Sequence, residues 1–299
     1  MMGAGLPTLS TTGARLLTPA LVALLVAVWL GGGVTEDQTS ADEWLQLFAL
    51  PLIVVAGMGL ATRGFGSRLT CVCVGAALLV AAVPALQLLR VPAEVWLSPP
   101  ARQTLAADLS TSGVGAIQWH WTLSPSSTES SLWSLLPALA GFLLSLVVPA
   151  SMRRRGVQAV IILVFFNTLF AFFQAGLPPD SSLRLYQDFD AGFGGLLANT
   201  NHQATALIIG MVLAVGLAVD AHRRAARGET SSHSALGYGV LAGVFLLLVP
   251  LSTARAGMAI ALPALAFALA MTGALPLSRI RRSKRALALV TGVALLAII

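Results

Sequence analysis

Two short polar stretches interrupt long apolar runs and carry the side chains best suited to bind an anion. The first, GGLLANTNHQ, contains Asn199, Asn201 and His202. The second, LSTARAG, contains Arg255. The start of a helix offers unpaired amide N–H groups and a partial positive charge, and an arginine can bind phosphate through two parallel hydrogen bonds. These residue types therefore favour recognition of a phosphate or diphosphate group.

Helices must position both polar stretches. Asn199 or Asn201 is a favoured N-cap residue, so a helix is predicted to begin there. The 20 residues from Asn201 to Asp220 would extend about 30 Å as a helix. The same measure, counted back from Arg279, places Arg255 at a similar depth. We therefore expect the two polar stretches to lie at the same end of their helices.

The composition is that of a membrane protein. Of the 299 residues, 57% are hydrophobic and 10% charged, and the mean hydropathy is +0.84. Soluble proteins carry about 25% charged residues, so a cytoplasmic enzyme and a disordered regulator are excluded. Cys71 and Cys73 lie in one apolar run and indicate neither a structural disulfide nor a metal site. The net charge of +6 comes from short basic clusters between apolar runs, so membrane lipids, and no nucleic acid, are the expected partners.

Apolar runs long enough to cross a bilayer recur along the chain. A crossing needs about 20 apolar residues. The pattern predicts an all-α, polytopic transmembrane helical bundle of about 8–9 spans that forms a single membrane domain over residues 1–299. The predicted spans are Leu16–Gly33, Gln46–Ala61, Thr70–Val91, Leu132–Ser151, Val157–Leu177, Thr200–Ala221, Ala235–Ser252 and Gly257–Leu277, with a shorter ninth run from about Ala286 to Ile299.

The distribution of charge predicts the orientation. Basic residues favour cytoplasmic loops. With the N-terminus in the cytoplasm, four of the 18 basic residues lie outside, namely Arg90, Arg102, Arg184 and Arg255, and the other 14 lie inside. The outer side also receives 10 of the 12 acidic residues. Residues 91–131 then form the first long outer loop and residues 178–199 the second. Long loops of this kind are often functional.

Simpler interpretations exist for the anion-binding candidates. Asn199 and Asn201 could serve only as helix caps. His202 could form a hydrogen bond to a neighbouring helix at the membrane interface. Arg255 could extend its side chain to lipid headgroups. Each of these alternatives is open at the level of sequence.

The second outer loop contributes Arg184 to the candidate site. Its guanidinium could bind an anion, or it could pair with Asp180 or Asp188, for little net stability.

Other polar and aromatic residues favour structural roles. Trp119 and Trp121, with His120 between them, are typical of an interfacial aromatic belt. Asn167 and Gln174 lie inside the fifth predicted span and are expected to form hydrogen bonds to other helices.

The sequence contains no established catalytic motif. H-E-x-x-H, G-x-S-x-G and P-loop patterns are missing, and the 4 histidines have no metal-ligand spacing. No carboxylate pair lies within the apolar runs, which disfavours an ion-coupled pump. No metal and no cofactor are therefore expected.

Two motifs resemble a known family. The segment GGLLANTNHQATALIIGMVL (Gly194–Leu213) and the segment LSTARAGMAIA (Leu251–Ala261) are similar to the O-antigen ligase and polymerase superfamily. Members have an Asn-x-Asn stretch at the start of one helix and a Ser/Thr-x-Arg-Gly-like turn at the start of another. Here an extra alanine separates arginine from glycine. Pro92–Pro100 and Trp121–Leu136 also resemble the family's first outer loop, so the likeness covers about residues 80–275.

The resemblance implies a GT-C-like enzyme of the bacterial inner (cytoplasmic) membrane. Such a glycan ligase or polymerase transfers polysaccharide from an undecaprenyl-diphosphate carrier to a hydroxyl of an acceptor glycan or lipid at the periplasmic face. It needs no metal or nucleotide sugar, because the lipid diphosphate is the leaving group. By this resemblance Arg184 and Arg255 bind the diphosphate, while Asn199, Asn201 and His202 frame the carrier or the sugar.

The chain departs from the family near its end. Family members have a further large outer loop, in which the ligases place a catalytic histidine, so the resemblance implies that this chain is truncated at the C-terminal side. His202 is then the remaining candidate for a general base, provided that the acceptor comes within about 3 Å. The alternatives are a non-enzymatic membrane transporter or scaffold in surface-polysaccharide assembly, or an inactive fragment.

Overall fold

Helices account for the regular structure of this protein. The computed structural model describes residues 11–32, 40–63, 67–113, 119–178, 180–186 and 193–274. Within these ranges no strand forms, and one isolated antiparallel bridge joins Arg90 to His120. The elements are α1 (Thr11–Gly31), α2 (Ser40–Arg63), α3 (Arg68–Gln87), α4 (Ala93–Trp96), α5 (Pro100–Thr111), α6 (Pro125–Val147), α7 (Ala150–Ala175), α8 (Thr200–Ala226), α9 (Ser232–Leu248), a 3₁₀ turn (Val249–Ser252) and α10 (Arg255–Met271).

Six of these helices are long and apolar enough to cross a membrane. They are Ser40–Thr62, Arg68–Gln87, Pro125–Val147, Met152–Ala175, Thr200–Ala226 and Ser232–Ser252. Two shorter apolar helices, Leu16–Gly31 and Arg255–Met271, accompany them. The prediction of an all-α, multi-pass membrane protein is thus supported, and a helix lies on each of the first eight predicted spans. The ninth run lies outside the described residues.

Helix α6 begins earlier than predicted. We expected its span to start at Leu132, where the apolar run begins, but the helix starts at Pro125. Proline is well suited to the first helical position, because its missing N–H would have no partner there. The first turns of α6 are therefore built from polar residues that the hydropathy pattern leaves out.

The described helices form two compact units. The first contains α1 as far as Leu24 and helices α2–α6. Here α6 packs against α2 and α3. Ala49 and Ala56, seven positions apart on α2, and Ala140 on α6 are all fully buried. Small residues of this kind let neighbouring helices approach closely in a membrane.

In the segment predicted as the first outer loop, aromatic side chains pack on one another. Trp96 is buried, donates from Nε1 to the carbonyl oxygen of His120 at 2.7 Å and packs on Trp119 with ring centroids 5.0 Å apart. The guanidinium of Arg102 lies 5.0 Å from the ring of Trp96 and 5.4 Å from that of Trp121. Trp119 and Trp121, which we expected in an interfacial aromatic belt, thus hold this segment together.

The second unit contains α1 from Leu25 onwards and helices α7–α10. Its core is centred on α8, whose Leu207 and Met211 are completely buried. A Cβ atom at Gly210 would lie 2.9 Å from side-chain atoms of both Phe245 and Val164. Because Gly210 has no side chain, α7 and α9 can both pack closely against the middle of α8.

Helices α8 and α10 run side by side in the same direction. Near their starts, a Cβ atom at Gly257 would lie 2.5 Å from the Cβ of Ala204. At their other ends, Nη2 of Arg223 donates to the carbonyl oxygen of Thr272 at 2.5 Å. We call the end of the second unit with the starts of α8 and α10 the polar end.

Six of the eight described arginines of the second unit lie at its opposite end, which we call the basic end. Arg154 at the start of α7 pairs with Asp220 near the end of α8, with 3.7 Å between Nη1 and Oδ2. The arginines of this end are Arg153, Arg154, Arg155, Arg223, Arg224 and Arg227.

Candidate functional site

Asn199 caps the start of α8. Its backbone is extended, and its Oδ1 accepts a hydrogen bond of 2.8 Å from the backbone N–H of Asn201. Its carbonyl oxygen accepts from the backbone N–H groups of His202 and Gln203. The side chains of Asn201 and His202 are exposed. The prediction of an N-cap in this stretch is confirmed at Asn199, whereas Asn201 is already the second residue of the helix.

A tight turn precedes α10. The 3₁₀ turn ends at Ser252, whose buried Oγ donates to the carbonyl oxygen of Val249 at 2.7 Å. Thr253 then takes a left-handed backbone conformation with φ of 58°. The cap residue Ala254 has no side chain that could bond the first N–H groups of α10. Arg255, the first residue of the helix, is exposed.

The two helix starts lie at the same level. Gly257 is in the first turn of α10 and Ala204 near the start of α8, and the two backbones meet at this point. The expectation that both polar stretches share one end is therefore confirmed. Arg255, Asn201 and His202 are exposed at the polar end of the second unit, where two helix dipoles direct their positive ends.

A buried amide pair lies directly beneath these exposed residues. Nδ2 of Asn167 on α7 donates to Oε1 of Gln203 on α8 at 2.5 Å. Oδ1 of Asn167 accepts from the backbone N–H of Leu196 at 2.8 Å. The expected bond from Asn167 to another helix is confirmed. Nε2 of Gln203 is buried and has no partner, although an unpaired buried donor of this kind is unfavourable.

Gln174 binds a loop rather than a helix, so our prediction of its partner is wrong. Its Nε2 donates to the carbonyl oxygen of Leu183, and its Oε1 accepts from the backbone N–H of Leu185. Both partners belong to the segment predicted as the second outer loop, whose backbone N–H and C=O groups lie outside helices and can bond a side-chain amide. Gln174 thus attaches this loop to the end of α7.

Arg184 fastens the same loop. Its Nη2 donates to the carbonyl oxygen of Leu177 at 2.9 Å, while Nε is buried without a partner. Within the described part of the loop, Arg184 forms no ion pair with Asp180, so the suggested pairing with Asp180 is wrong. The other suggested partner, Asp188, lies outside the described residues. A backbone carbonyl within reach takes the place of the carboxylate.

A very small cavity adjoins Arg184. Its volume is about 10 Å³, enough for about one water molecule. Tyr186 closes one side and donates from its hydroxyl to the carbonyl oxygen of Leu196 at 2.8 Å. Burial raises the pKa of Tyr186. A sugar or a diphosphate does not fit here. The cavity is lined by Gln174, Arg184, Tyr186, Gly194, Gly195 and Leu197.

Two residues of this region were missed as contributors at the level of sequence. Gln203 is the last residue of the polar stretch GGLLANTNHQ, and its amide side chain four residues after Asn199 was the available signal. Tyr186, one of only 2 tyrosines in the chain, gave no signal, because its partner is a backbone carbonyl.

The fold and the polar end show only the general class of the protein. The chain is a multi-helix membrane protein with two exposed helix starts at one end. Among the described residues, no group of three or more His, Cys, Asp or Glu side chains could hold a metal ion. Comparisons with protein-family models, curated proteins and solved structures give no match.

Proposed function

We propose that this protein is an integral membrane glycan ligase or polymerase. It would transfer a polysaccharide from an undecaprenyl-diphosphate carrier to an acceptor hydroxyl at the periplasmic face of the bacterial inner membrane. The observation that carries the proposal is the contact between Gly257 and Ala204, because it places Arg255 and the start of α8 at one end. The resemblance of both motifs to the O-antigen ligase and polymerase superfamily supports it.

The proposed orientation follows from charge. Basic residues are retained on the cytoplasmic side of membranes. The six arginines of the basic end favour a cytoplasmic position for that end. The polar end of the second unit then faces the periplasm, where lipid-linked glycans are joined. A cytoplasmic N-terminus is part of the same proposal.

The proposed chemistry assigns the diphosphate to Arg255 and the two helix starts. As the bond between the sugar and the diphosphate breaks, negative charge grows on the leaving phosphate oxygen. Arginine and oriented N–H groups stabilise such charge, and removal of one donor typically lowers kcat by about 10²–10³-fold. Arg184 is bound to Leu177 in this structure, so we assign it a supporting role at the second outer loop.

The acceptor requires a base. His202 is exposed next to the capped start of α8, and a neutral imidazole there could accept the proton of the acceptor hydroxyl. This transfer needs a distance of about 3 Å between the two atoms. His202 is therefore the proposed general base, with Asn199 and Asn201 on either side of the bound carrier or sugar.

The test compares charge removal at the two ends of the second unit. Arg255→Gln should lower glycan transfer in isolated membranes by at least about 10²-fold, measured with a lipid-linked glycan and its acceptor. Arg153→Gln is the matched control, because Arg153 is equally exposed but lies at the basic end. Both variants should reach the membrane in equal amounts.

Normal transfer by a correctly inserted Arg255→Gln protein would overturn the proposal. Loss of surface polysaccharide in cells, with transfer by isolated membranes unchanged, would instead support a non-enzymatic transporter or scaffold.

A further inference from the structure

The basic end of the second unit contains an open cavity that the proposed function does not use. Its volume is about 540 Å³, within the range of about 300–1,000 Å³ for ligand sites in proteins. The cavity lies between the end of α8, the start of α9 and the end of α10. Its lining residues are Ala218, Val219, His222, Arg223, Ala235, Gly273 and Ala274.

The lining combines hydrocarbon with two basic side chains. Arg223 is held in place, because its Nη2 donates to the carbonyl oxygen of Thr272. A guanidinium has five N–H donors, so most of them stay free for a ligand. His222 is the neighbouring residue on α8 and adds a second donor. The other lining residues have aliphatic side chains, except Gly273, which has none.

In the part of the chain that the structure describes, no carboxylate neutralises these basic groups at the cavity. Among the described residues, the two acids of this end are Asp220 and Glu229. Asp220 pairs with Arg154. Glu229 accepts from Arg224 at 3.2 Å and from Arg227 at 2.6 Å. Neither acid lines the cavity, so its basic side chains can attract an anion.

We propose that this cavity binds an anionic phospholipid. The phosphate would contact Arg223 and His222, and the adjoining hydrocarbon would contact the aliphatic lining residues. A free phosphate would leave that aliphatic surface in water, whereas a phospholipid matches both halves of the lining. The cavity also lies at the end of the membrane-length helix α8, where a helix that spans the bilayer would meet the headgroups. Basic pockets between transmembrane helices are suited to such headgroups.

The experiment measures the unfolding temperature of the purified full chain in a neutral detergent. Phosphatidylglycerol, phosphatidylcholine and inorganic phosphate are added separately. A ligand that binds only the folded state stabilises it in proportion to its affinity. Phosphatidylglycerol should raise the unfolding temperature, and the other two should have little effect. An equal effect of phosphatidylcholine or of inorganic phosphate would overturn the proposal.

Two kinds of variant test the two halves of the lining. Arg223→Gln should weaken phosphatidylglycerol binding by at least about tenfold, whereas Arg227→Gln, on the same helix end but outside the cavity, should not. Ala218→Leu fills the aliphatic half and should also weaken binding, while the exposed Ala226→Leu serves as its control. Native mass spectrometry counts the bound lipids directly, which keeps the test valid for a less stable variant.

Undiminished lipid binding by both Arg223→Gln and Ala218→Leu would overturn the proposal. Because neither residue lies at the polar end, glycan transfer can fail in the separate test of Arg255 without affecting this result.

Discussion

Nδ2 of Asn167 on α7 donates a hydrogen bond of 2.5 Å to Oε1 of Gln203 on α8, and both side chains are buried. The same Asn167 also accepts from the backbone N–H of Leu196, just before α8 begins. One amide therefore joins α7 to α8 and to the loop that leads into it. The position of the start of α8 depends on this buried contact.

Asn167→Leu should destabilise the protein by about 1–3 kcal/mol, because it leaves the buried Gln203 oxygen and the half-buried Leu196 N–H without a partner. Equilibrium unfolding in detergent measures the loss. Adding Gln203→Leu should recover part of it, since both members of the pair are then apolar. Thr205→Val is the control, because its exposed hydroxyl bonds only the carbonyl of Asn201 in its own helix. An Asn167→Leu variant as stable as the wild type would contradict this assignment.

Gly257→Ala should separate α8 from α10. The new Cβ would lie 2.5 Å from the Cβ of Ala204, whereas carbon atoms in contact prefer about 3.5–4.0 Å. We expect a loss of about 1–3 kcal/mol in unfolding free energy, and a lower rate of the proposed glycan transfer. Adding Ala204→Gly to this variant should restore both the stability and the transfer rate. Gly239→Ala on α9 meets open space and should be harmless; if it is equally damaging, close packing is not the cause.

Gly195→Ala should be more damaging than Gly228→Ala. Both glycines have positive φ, 69° and 74°, so both variants carry the penalty of about 1–2 kcal/mol for a left-handed backbone. Only at Gly195 would the added Cβ also lie 2.7 Å from two oxygens of Asn167. Thermal unfolding of the two variants isolates this contact. Equal losses would show that backbone conformation alone accounts for the glycine.

Tyr186 should ionise above the ordinary pKa of 10.0, because burial disfavours its phenolate. An unfolded tyrosine ionises at about 10. The stability from the neutral hydroxyl is therefore fully present below that pH and is lost as the pH rises through the raised pKa of the folded state. The ultraviolet absorbance of the phenolate measures the titration. Only 2 tyrosines are present, so subtracting the Tyr186→Phe curve isolates this residue; a midpoint at or below 10 would contradict the prediction.

Local patterns account for what could be predicted. The apolar runs located the helices, because crossing a bilayer demands length and hydropathy that are visible in one segment. Asn199 was a predictable cap, since capping involves residues only two or three positions apart. Helix rise alone placed Arg255 level with the start of α8. The structure confirms each of these points.

The backbone partners of the loop-binding side chains could not be predicted. Gln174 bonds backbone groups of a loop, where we expected another helix as the partner. Arg184 donates to the carbonyl of Leu177, where the sequence left open an anionic ligand or a carboxylate of its own loop. A backbone acceptor is present at every residue, so residue type does not reveal which one is bound. The same reason concealed the bonds from Trp96 to His120 and from Tyr186 to Leu196. The sequence was enough to predict which residues lie at the polar end. It did not reveal the hydrogen bonds that hold the neighbouring segments in place.

Helix α3 shows how differently two helices of one chain can be constrained. None of its residues is buried, whereas α8 is enclosed over half of its span. Exchanging Leu78, Val80 or Val83 among aliphatic types creates no void, since no neighbour closes around them. The sequence of α3 can therefore vary freely as long as its hydropathy and its length are kept. Natural substitutions should be more frequent in α3 than in α8.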